Sequence, residues 1–354
     1  MNLRTLLADT VGRLFSDLAT KELIESAEKG VWPDKLWRAL EEGGLTLPLV
    51  PETRGGAGGT WRDAHVVVRA AGQHAAPVPL AETIVASGLL AGAGLDVPLG
   101  PLTVAPVHRD ERLTLTRAGG GWRVRGAASR VPWGAAAGHV VLVGDADGRA
   151  MVALLAREAL RVSADRNLAL EPRDTLTFED APVLAAAPAA AGTGPETITL
   201  HGALVRSAQM AGALESLVQQ SVRYTTERRQ FGRPIGSFQA IQHQLAVLAG
   251  HAAAASIAAE RAFAAADAGD PTFDVAVAKI RAGEAAGIGA GIAHQVHGAI
   301  GFTYEHSLHF ATRRLWSWRA EFGSESHWAG ELGRHVTARG ADALWPDLTA
   351  RQRT

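Results

Sequence analysis

From about Ile198 to the end of the chain, apolar residues recur at intervals of three and four positions, over segments long enough to be long helices. Alanine and glycine are abundant in these segments, and small side chains let neighbouring helices approach closely. The pattern predicts a tight bundle of long helices over residues 186–354.

The central part of the sequence has a different period. Between residues 98 and 185, short β-rich runs such as HVVLVGDADGRAMVALLA and DTLTFEDAPV are separated by Gly, Asp and Pro. This spacing predicts a small β-barrel or sandwich. A stretch rich in Pro, Ala and Gly, VLAAAPAAAGTGPE, then predicts a linker to the bundle.

Residues 1–97 show helical spacing again. LWRALEEGG ends on a glycine pair, which is a common stop signal for a helix. We therefore expect a mostly α chain with a central β domain, divided into an N-terminal helical domain (1–97), a central β domain (98–185) and a C-terminal helical bundle (186–354).

The composition excludes several classes of protein. The 35 Lys and Arg nearly balance the 36 Asp and Glu, so no basic field is available to hold a nucleic-acid backbone. Cysteine is absent, which excludes disulfides, cysteine zinc sites, iron–sulfur clusters and a thiol nucleophile. No apolar run reaches the roughly 18–20 residues of a membrane span. We expect a cytoplasmic protein that binds neither nucleic acid nor a membrane.

The most unusual stretch is RRQFGRPIGSFQAIQHQL, residues 228–245. A helix ends in two arginines, Gly and Pro force a reversal, and a new helix opens near Ser237, a candidate N-cap. A helix N-terminus flanked by arginines can hold a phosphate, with aromatic and amide side chains nearby for a base or sugar. An ordinary turn between two helices with solvated arginines also explains these residues.

Two further stretches combine turns with functional side chains. HQVHGAIGFTYEH, residues 294–306, runs from a helix into a glycine turn whose amides can approach a ligand closely. Its histidine spacing permits two metal ligands, but no matching carboxylate accompanies them, so we expect no metal site. RRLWSWRAEFGSESHW, residues 313–328, fits either a buried helix face or the wall of a cofactor or acyl pocket.

Taken together, these segments resemble the acyl-CoA dehydrogenase family over nearly the whole chain. LTLPLVPETRGGAGG is similar to a motif of the family's N-terminal helical domain, and ERRQFGRPIGSFQAIQ is close to a highly specific motif of its C-terminal domain. QVHGAIGFTYEHSLHFATRR is similar to a further family turn, in a form most like the steroid- and branched-acyl branch. The helical–β–helical order matches the family fold.

The resemblance implies FAD as cofactor and α,β-desaturation of an acyl-CoA thioester, with electrons passing to an electron-transfer flavoprotein. By the motif match, the residues that would bind FAD are Arg228, Gln230, Phe231, Gln239, Gln295, Gly298, Gly301 and Ser324. Arg228 would hold the pyrophosphate, and Phe231 would lie near the adenine. The glycine turn and Gln295 would reach the FAD of a neighbouring chain, which requires at least a dimer.

The catalytic base is where the sequence departs from the family. Most members carry a Glu directly before Gly-Thr, and the matching residues here are Phe322, Gly323 and Ser324. Other members place the base near the start of the first long C-terminal helix, where this chain has ITLHGALVRSAQM without an acid. His201 in that segment is a weak substitute.

The flavin-ring side of the site also departs from the family. VAPVHRDERL stands in place of an acid-Pro-Gly-Ser loop, and Arg130-Val131-Pro132 stands near the Trp-Ile-Thr that backs the flavin ring. Pro132 offers neither a hydroxyl nor a backbone N–H. The adenosine half of the FAD site is therefore predicted to be kept, and the flavin-ring half to be eroded.

Two main hypotheses follow. In the first, which we favour, the chain is the base-lacking subunit of a heteromeric dehydrogenase, such as a heterotetramer with a base-bearing homologous subunit. In the second, it is an active homo-oligomer with a relocated base, for which Glu321 and Glu325 are weak candidates. A non-catalytic structural or regulatory relative is a further alternative.

Overall fold

The computed structural model describes residues 3–108 and 110–350, in which helices come first, then strands, then helices again. The N-terminal helices are α1 (Leu3–Leu18), α2 (Lys21–Glu28), α3 (Asp34–Glu42), α4 (Trp61–Gln73) and α5 (Leu80–Gly92). At the start of α4, Thr60 and Asp63 form a capping box, in which each side chain accepts a hydrogen bond from the other residue's backbone N–H. α5 is buried over most of its length, because it is apolar on nearly all sides.

Within the described residues, the central part forms one sheet of eight strands. Its strands are β1 (Leu102–Val104), β2 (Leu113–Ala118), β3 (Gly121–Pro132), β4 (His139–Ala146), β5 (Arg149–Ala156), β6 (Arg161–Ser163), β7 (Arg173–Pro182) and β8 (Ala185–Pro188). Their order is β6-β7-β3-β2-β4-β5-β8, and β1 lies parallel beside β4. The predicted β domain is thus present.

β4 joins this sheet to the helices, since it is buried on both faces. Val140 and Leu142 point into the core formed by the strands, whereas Val141 and Val143 belong to the core shared with the N-terminal helices. Because side chains alternate along a strand, one apolar run can serve two cores.

The C-terminal part is the predicted bundle of long helices. It contains α6 (Glu196–Glu227), the two-stranded hairpin β9 (Arg229–Gln230) and β10 (Arg233–Pro234), α7 (Gln239–Ala268), α8 (Thr272–His297), α9 (Leu308–Trp318), α10 (Glu325–Arg339) and α11 (Ala341–Ala350). Glycines bring α4 and α6 together: a Cβ on Gly72 would lie 2.1 Å from the Gln209 carbonyl oxygen, and one on Gly212 would lie 2.0 Å from that of Arg69. The mostly α architecture with a central β domain is confirmed.

Two local expectations differ from the structure. The predicted linker contains β8, which pairs with β5, so a division after residue 185 falls inside this strand. Ser237 is not the N-cap of α7, because its hydroxyl donates to the Pro234 carbonyl oxygen at 2.7 Å and Phe238 takes the cap position. In the part of the chain that the structure describes, no helix has the length and apolar character needed to cross a membrane.

Candidate active site

The first segment predicted to bind FAD forms a tight β-hairpin. α6 ends at Glu227, and β9 and β10 then pair around the turn residues Phe231 and Gly232. Both turn residues have positive φ, +51° and +80°, as a type I′ turn requires. Glycine adopts this conformation freely, whereas it strains the phenylalanine backbone.

Phe231 projects from the tip of this hairpin. It is 90% exposed, and its ring meets the Phe238 ring edge-on, with 6.1 Å between the ring centroids. The Arg233 guanidinium lies 4.2 Å from the centre of the Phe238 ring. An aromatic ring this exposed on a strained backbone is typical of a binding surface.

A pocket of about 620 Å³, here named the hairpin pocket, opens between this hairpin and the end of α8. Predicted FAD-binding residues from both segments line it, namely Arg228, Gln230, Phe231, Gln295 and Gly298. The Arg228 side chain is exposed and makes no ion pair with a described residue, so its charge is available to an anion. Gly298 ends α8 with φ +64°, and the space beside its Cα is open.

His297 lines the hairpin pocket and has one ring nitrogen without a partner. Its Nδ1 donates to the Ala293 carbonyl oxygen at 2.8 Å, and its ring stacks on Tyr224 with 4.5 Å between centroids. Its Nε2 is buried and has no partner among the described residues. A buried polar atom without a partner costs free energy, so this ring is held in place by its Nδ1 bond and its packing on Tyr224.

Other predicted FAD-binding residues lie outside the lining of the hairpin pocket. Gly301 is buried, and a Cβ there would come within 3.0 Å of the His297 side chain, so this glycine is needed for packing. Ser324 is the N-cap of α10, and its hydroxyl accepts from the His327 N–H at 3.4 Å. Gln239 is the exposed first residue of α7. Their contacts with FAD stay predictions.

A larger cavity of about 1030 Å³, here named the cleft, lies between the β domain and the turn after α9. The cleft is lined by residues from the segments that differ from the family motifs. These residues include His108, Pro132 and Phe322. The Pro132 carbonyl oxygen accepts a hydrogen bond from the Thr103 hydroxyl, and proline has no N–H. Pro132 therefore offers no hydrogen-bond donor to a ligand in the cleft.

Phe322 fills the space between the turn after α9 and the start of α6. It is buried with φ +52°, and the Trp328 indole N–H donates to its carbonyl oxygen at 3.0 Å. A Cβ built on Gly202 would lie 2.3 Å from the Phe322 ring. The Phe322 ring thus occupies the space between the two segments in which family members carry a base. This chain has no acid at the base position of either segment.

Glu321 also lines the cleft, but its carboxylate is bound by two arginines. Its Oε1 accepts from Arg173 Nε at 2.7 Å and from Asn167 Nδ2 at 3.0 Å, and its Oε2 accepts from Arg206 Nε at 2.7 Å. Burial alone would raise the pKa of Glu321, but the charges of Arg173 and Arg206 and these hydrogen bonds lower it well below its usual value. A carboxylate with so low a pKa is a poor proton acceptor.

Glu325 is no better placed to act as a base. Arg319 donates to its Oε1 at 2.6 and 2.8 Å, and its side chain packs over Gly283 of α8. The cleft lining includes its neighbours Ser326 and His327, but not Glu325 itself.

Buried ion pairs extend from Glu321 through all three parts of the chain. Arg206 on α6 also pairs with Glu82 on α5, and Arg173 on β7 pairs with Glu171 at 2.8 Å. Arg173, Arg206 and Glu171 are almost completely buried, so each charge needs its partner. This network fixes the turn that carries Phe322.

Lys279 on α8 stabilises the same turn through hydrogen bonds to its backbone. It is fully buried on α8, and its Nζ donates at 2.9–3.3 Å to the carbonyl oxygens of Trp318, Arg319 and Glu321. Burial lowers the pKa of Lys279 to about 7, although the charge of Glu321 opposes this effect.

We expect the melting temperature of the wild type to rise, relative to Lys279→Met, as the pH increases from 7 towards 10. The folded chain loses the Lys279 proton near pH 7, whereas an unfolded lysine keeps it up to about 10.4. The unfolded chain binds more protons in this window, so stability rises with pH. Thermal melts across the window measure the effect. The exposed Lys29→Met is the control, and equal pH slopes for wild type and Lys279→Met would contradict the expectation.

His201 does not reach the cleft. It lines a separate cavity of about 820 Å³, and its ring lies 4.9 Å from that of Trp61. Burial lowers its pKa to about 4. Thr199 lines the cleft, so the first turns of α6 separate the two cavities. His201 is therefore not a substitute base for the cleft.

The comparisons with known proteins decide the family. Residues 4–95 match the acyl-CoA dehydrogenase N-terminal domain, and residues 196–332 match the acyl-CoA dehydrogenase C-terminal domain. The acyl-CoA dehydrogenase IpdE2 of Mycobacterium tuberculosis is 31% identical over 328 residues, which cover 88% of this chain and 90% of that protein. The chain belongs to the acyl-CoA dehydrogenase family.

Solved structures of acyl-CoA dehydrogenases agree with this assignment. The ChsE4-ChsE5 complex from Mycobacterium tuberculosis contains a chain with a TM-score of 0.85 and 25% identity, over 95% of this chain and 98% of that one. A variant of the Tcur3481-Tcur3483 steroid acyl-CoA dehydrogenase (ACAD) gives a TM-score of 0.86 and 26% identity, over 96% of this chain and 98% of that one. The predicted resemblance to the steroid-type branch is confirmed, and FAD is the cofactor of this oxidoreductase family.

Proposed function

We propose that this chain is a base-lacking subunit of a heteromeric, FAD-dependent acyl-CoA dehydrogenase, assembled with a homologous subunit that carries the base. The observation that carries the proposal is the Phe322 ring packed against Gly202, which fills the space between the two segments where a base would stand. Glu321, the acid in the adjoining position, is bound by Arg173 and Arg206.

The hairpin pocket fits the adenosine pyrophosphate part of FAD. The exposed Arg228 would bind the pyrophosphate, and Phe231 would lie along the adenine. The open backbone at Gly298 would accommodate polar groups of the same molecule. FAD held in this way would supply the acceptor for the hydride that leaves the acyl β-carbon.

The two pockets belong to different FAD molecules in this proposal. Thr199 lines the cleft and Tyr224 lines the hairpin pocket, and the two residues are 25 positions apart on α6. At 1.5 Å per residue they are separated by roughly 38 Å, so the two pockets lie near opposite ends of α6. The hairpin pocket would therefore complete an FAD site whose flavin lies in the neighbouring subunit.

That neighbouring subunit would supply the proton acceptor for the acyl α-carbon. This chain would hold the pyrophosphate through Arg228 and shield the adenosine end from water. Electrons would leave to an electron-transfer flavoprotein. The similarity to a chain of the ChsE4-ChsE5 complex supports a homologous partner subunit. The cytoplasmic location expected from the cysteine-free sequence stays a prediction.

The visible absorption spectrum tests the proposal. We expect the chain purified alone to carry little flavin. Its co-purified complex with a base-bearing homologue from the same source should carry bound flavin. Substitution of the base in the partner should abolish acyl-CoA oxidation. A stoichiometric flavin spectrum and acyl-CoA oxidation by this chain alone would instead support the homo-oligomeric alternative.

Arg228→Ala should lower the flavin content of that complex at least tenfold, because a charge-assisted contact to the pyrophosphate contributes about 1.5–3 kcal/mol. Arg223→Ala is the matched control, since Arg223 lies five residues earlier, on α6, is highly exposed and pairs with Glu227. Flavin content unchanged by Arg228→Ala would contradict the assignment of the hairpin pocket.

A further inference from the structure

β3 carries a β-bulge at the mouth of the cleft. Between the paired residues Ala128 and Val131, β3 has one residue more than the facing segment of β7, so Ser129 and Arg130 form the bulge. Arg130 has φ +53°, in the left-handed region that is ordinarily taken by glycine. Bulges beside active sites commonly redirect a side chain, and this one turns Arg130 into the cleft lining.

The bulge is braced by a neighbouring loop. Glu111 accepts hydrogen bonds from both the backbone N–H of Ser129, at 3.0 Å, and its hydroxyl. The other carboxylate oxygen of Glu111 accepts from the N–H of His108, which also lines the cleft, at 3.1 Å. A strained backbone persists only where its surroundings hold it in place, and strained positions cluster at ligand sites.

The guanidinium of Arg130 is available to a ligand. It is exposed and makes no hydrogen bond or ion pair within residues 3–108 and 110–350. The other arginines of the cleft are engaged: Arg173 binds Glu321, Arg334 binds Glu331, and Arg166 donates to a backbone carbonyl oxygen at 2.8 Å.

We propose that Arg130 is an oxyanion-binding residue, which takes a carboxylate or phosphate of an acyl-CoA-type ligand in the cleft of this chain. A planar guanidinium binds either anion through two parallel hydrogen bonds. The ligand class rests on the proposed function. Binding in this cleft is separate from the hairpin pocket, so flavin content and cleft binding can fail independently.

Calorimetric titration of the full chain with three probes tests the inference. Octanoyl-CoA carries phosphates, the octanoyl thioester of N-acetylcysteamine carries no anionic group, and its suberyl counterpart carries one carboxylate. Each probe is titrated into wild type, Arg130→Gly, Arg130→Lys and Arg149→Gln. Arg149 is the matched control, because it is exposed in the same sheet, has no ion pair in the described residues and lies outside the cleft.

Arg130→Gly separates binding from folding. Glycine suits the positive φ of this position, so we expect its melting temperature to equal or exceed that of the wild type. Its affinity for an anionic probe should fall about tenfold or more. Arg130→Lys should restore part of that affinity, and Arg149→Gln should leave it unchanged.

The probes identify the source of the anion. If Arg130→Gly loses affinity only for octanoyl-CoA, Arg130 binds a phosphate. If it loses affinity only for the suberyl thioester, Arg130 binds a carboxylate on the acyl chain. Equal affinities of wild type and Arg130→Gly for all probes would overturn the inference. It would also be overturned if no probe bound to the wild type, whereas the flavin experiment would still test the proposed function.

Discussion

Glu321→Gln is expected to lower the free energy of unfolding by about 3–5 kcal/mol, because it leaves the buried charges of Arg173 and Arg206 without their shared carboxylate. Urea unfolding followed by tryptophan fluorescence measures the change. The pKa of Glu321 is lowered in the folded chain, so the advantage of the wild type is complete above the unfolded pKa of about 4.3. The advantage is lost as the pH falls towards the folded value.

The same substitution distinguishes a structural from a catalytic Glu321. Glu179→Gln is the matched control, since its partner Arg161 is exposed and a surface pair contributes only about 0–1 kcal/mol. A catalytic base would instead give a variant of unchanged stability that has lost activity. That result would favour the homo-oligomeric alternative.

Gly202→Ala should destabilise the chain by about 3 kcal/mol, because its new Cβ would lie 2.3 Å from the Phe322 ring. In the Phe322→Ala background the same change should become neutral or stabilising by up to about 1 kcal/mol, since alanine favours a helix. Urea unfolding of the two single variants and the double variant gives the coupling energy between the positions.

Gly250→Ala is the control for this cycle. Gly250 lies inside α7, and no described atom outside the neighbouring backbone of this helix lies within 4 Å of a Cβ built there, so alanine should stabilise the helix in both backgrounds. Equal destabilisation by Gly202→Ala with and without the Phe322 ring would show that the ring does not fill this space.

The sequence predicts the architecture well, because periodicity depends on local spacing. The period of three and four predicts α6, α7 and α8, and the short β-rich runs between Gly, Asp and Pro predict β4 and β5. β8 is missed, since its Ala- and Pro-rich sequence has weak strand propensity and pairing with β5 decides its structure.

The hairpin pocket could be anticipated only through the family motifs, which relate Arg228 to Gln295 across 67 positions. The contact of Gly202 with Phe322 could not be predicted from the sequence, because no local pattern relates residues 120 positions apart. One signal of the ion network was present in the sequence: Arg206 interrupts the apolar run ALVRSAQM on a helix. A lone arginine in such a run indicates a buried partner.

The length of α6 sets a constraint on how this chain can vary. The helix is 32 residues long and carries a lining residue of the cleft near one end and of the hairpin pocket near the other. Removing one residue between Thr199 and Tyr224 would shift one pocket by about 1.5 Å and turn it by about 100° relative to the other. The length of α6 therefore fixes the position of one pocket relative to the other. We expect insertions and deletions to be selected against within this helix, although surface loops tolerate them.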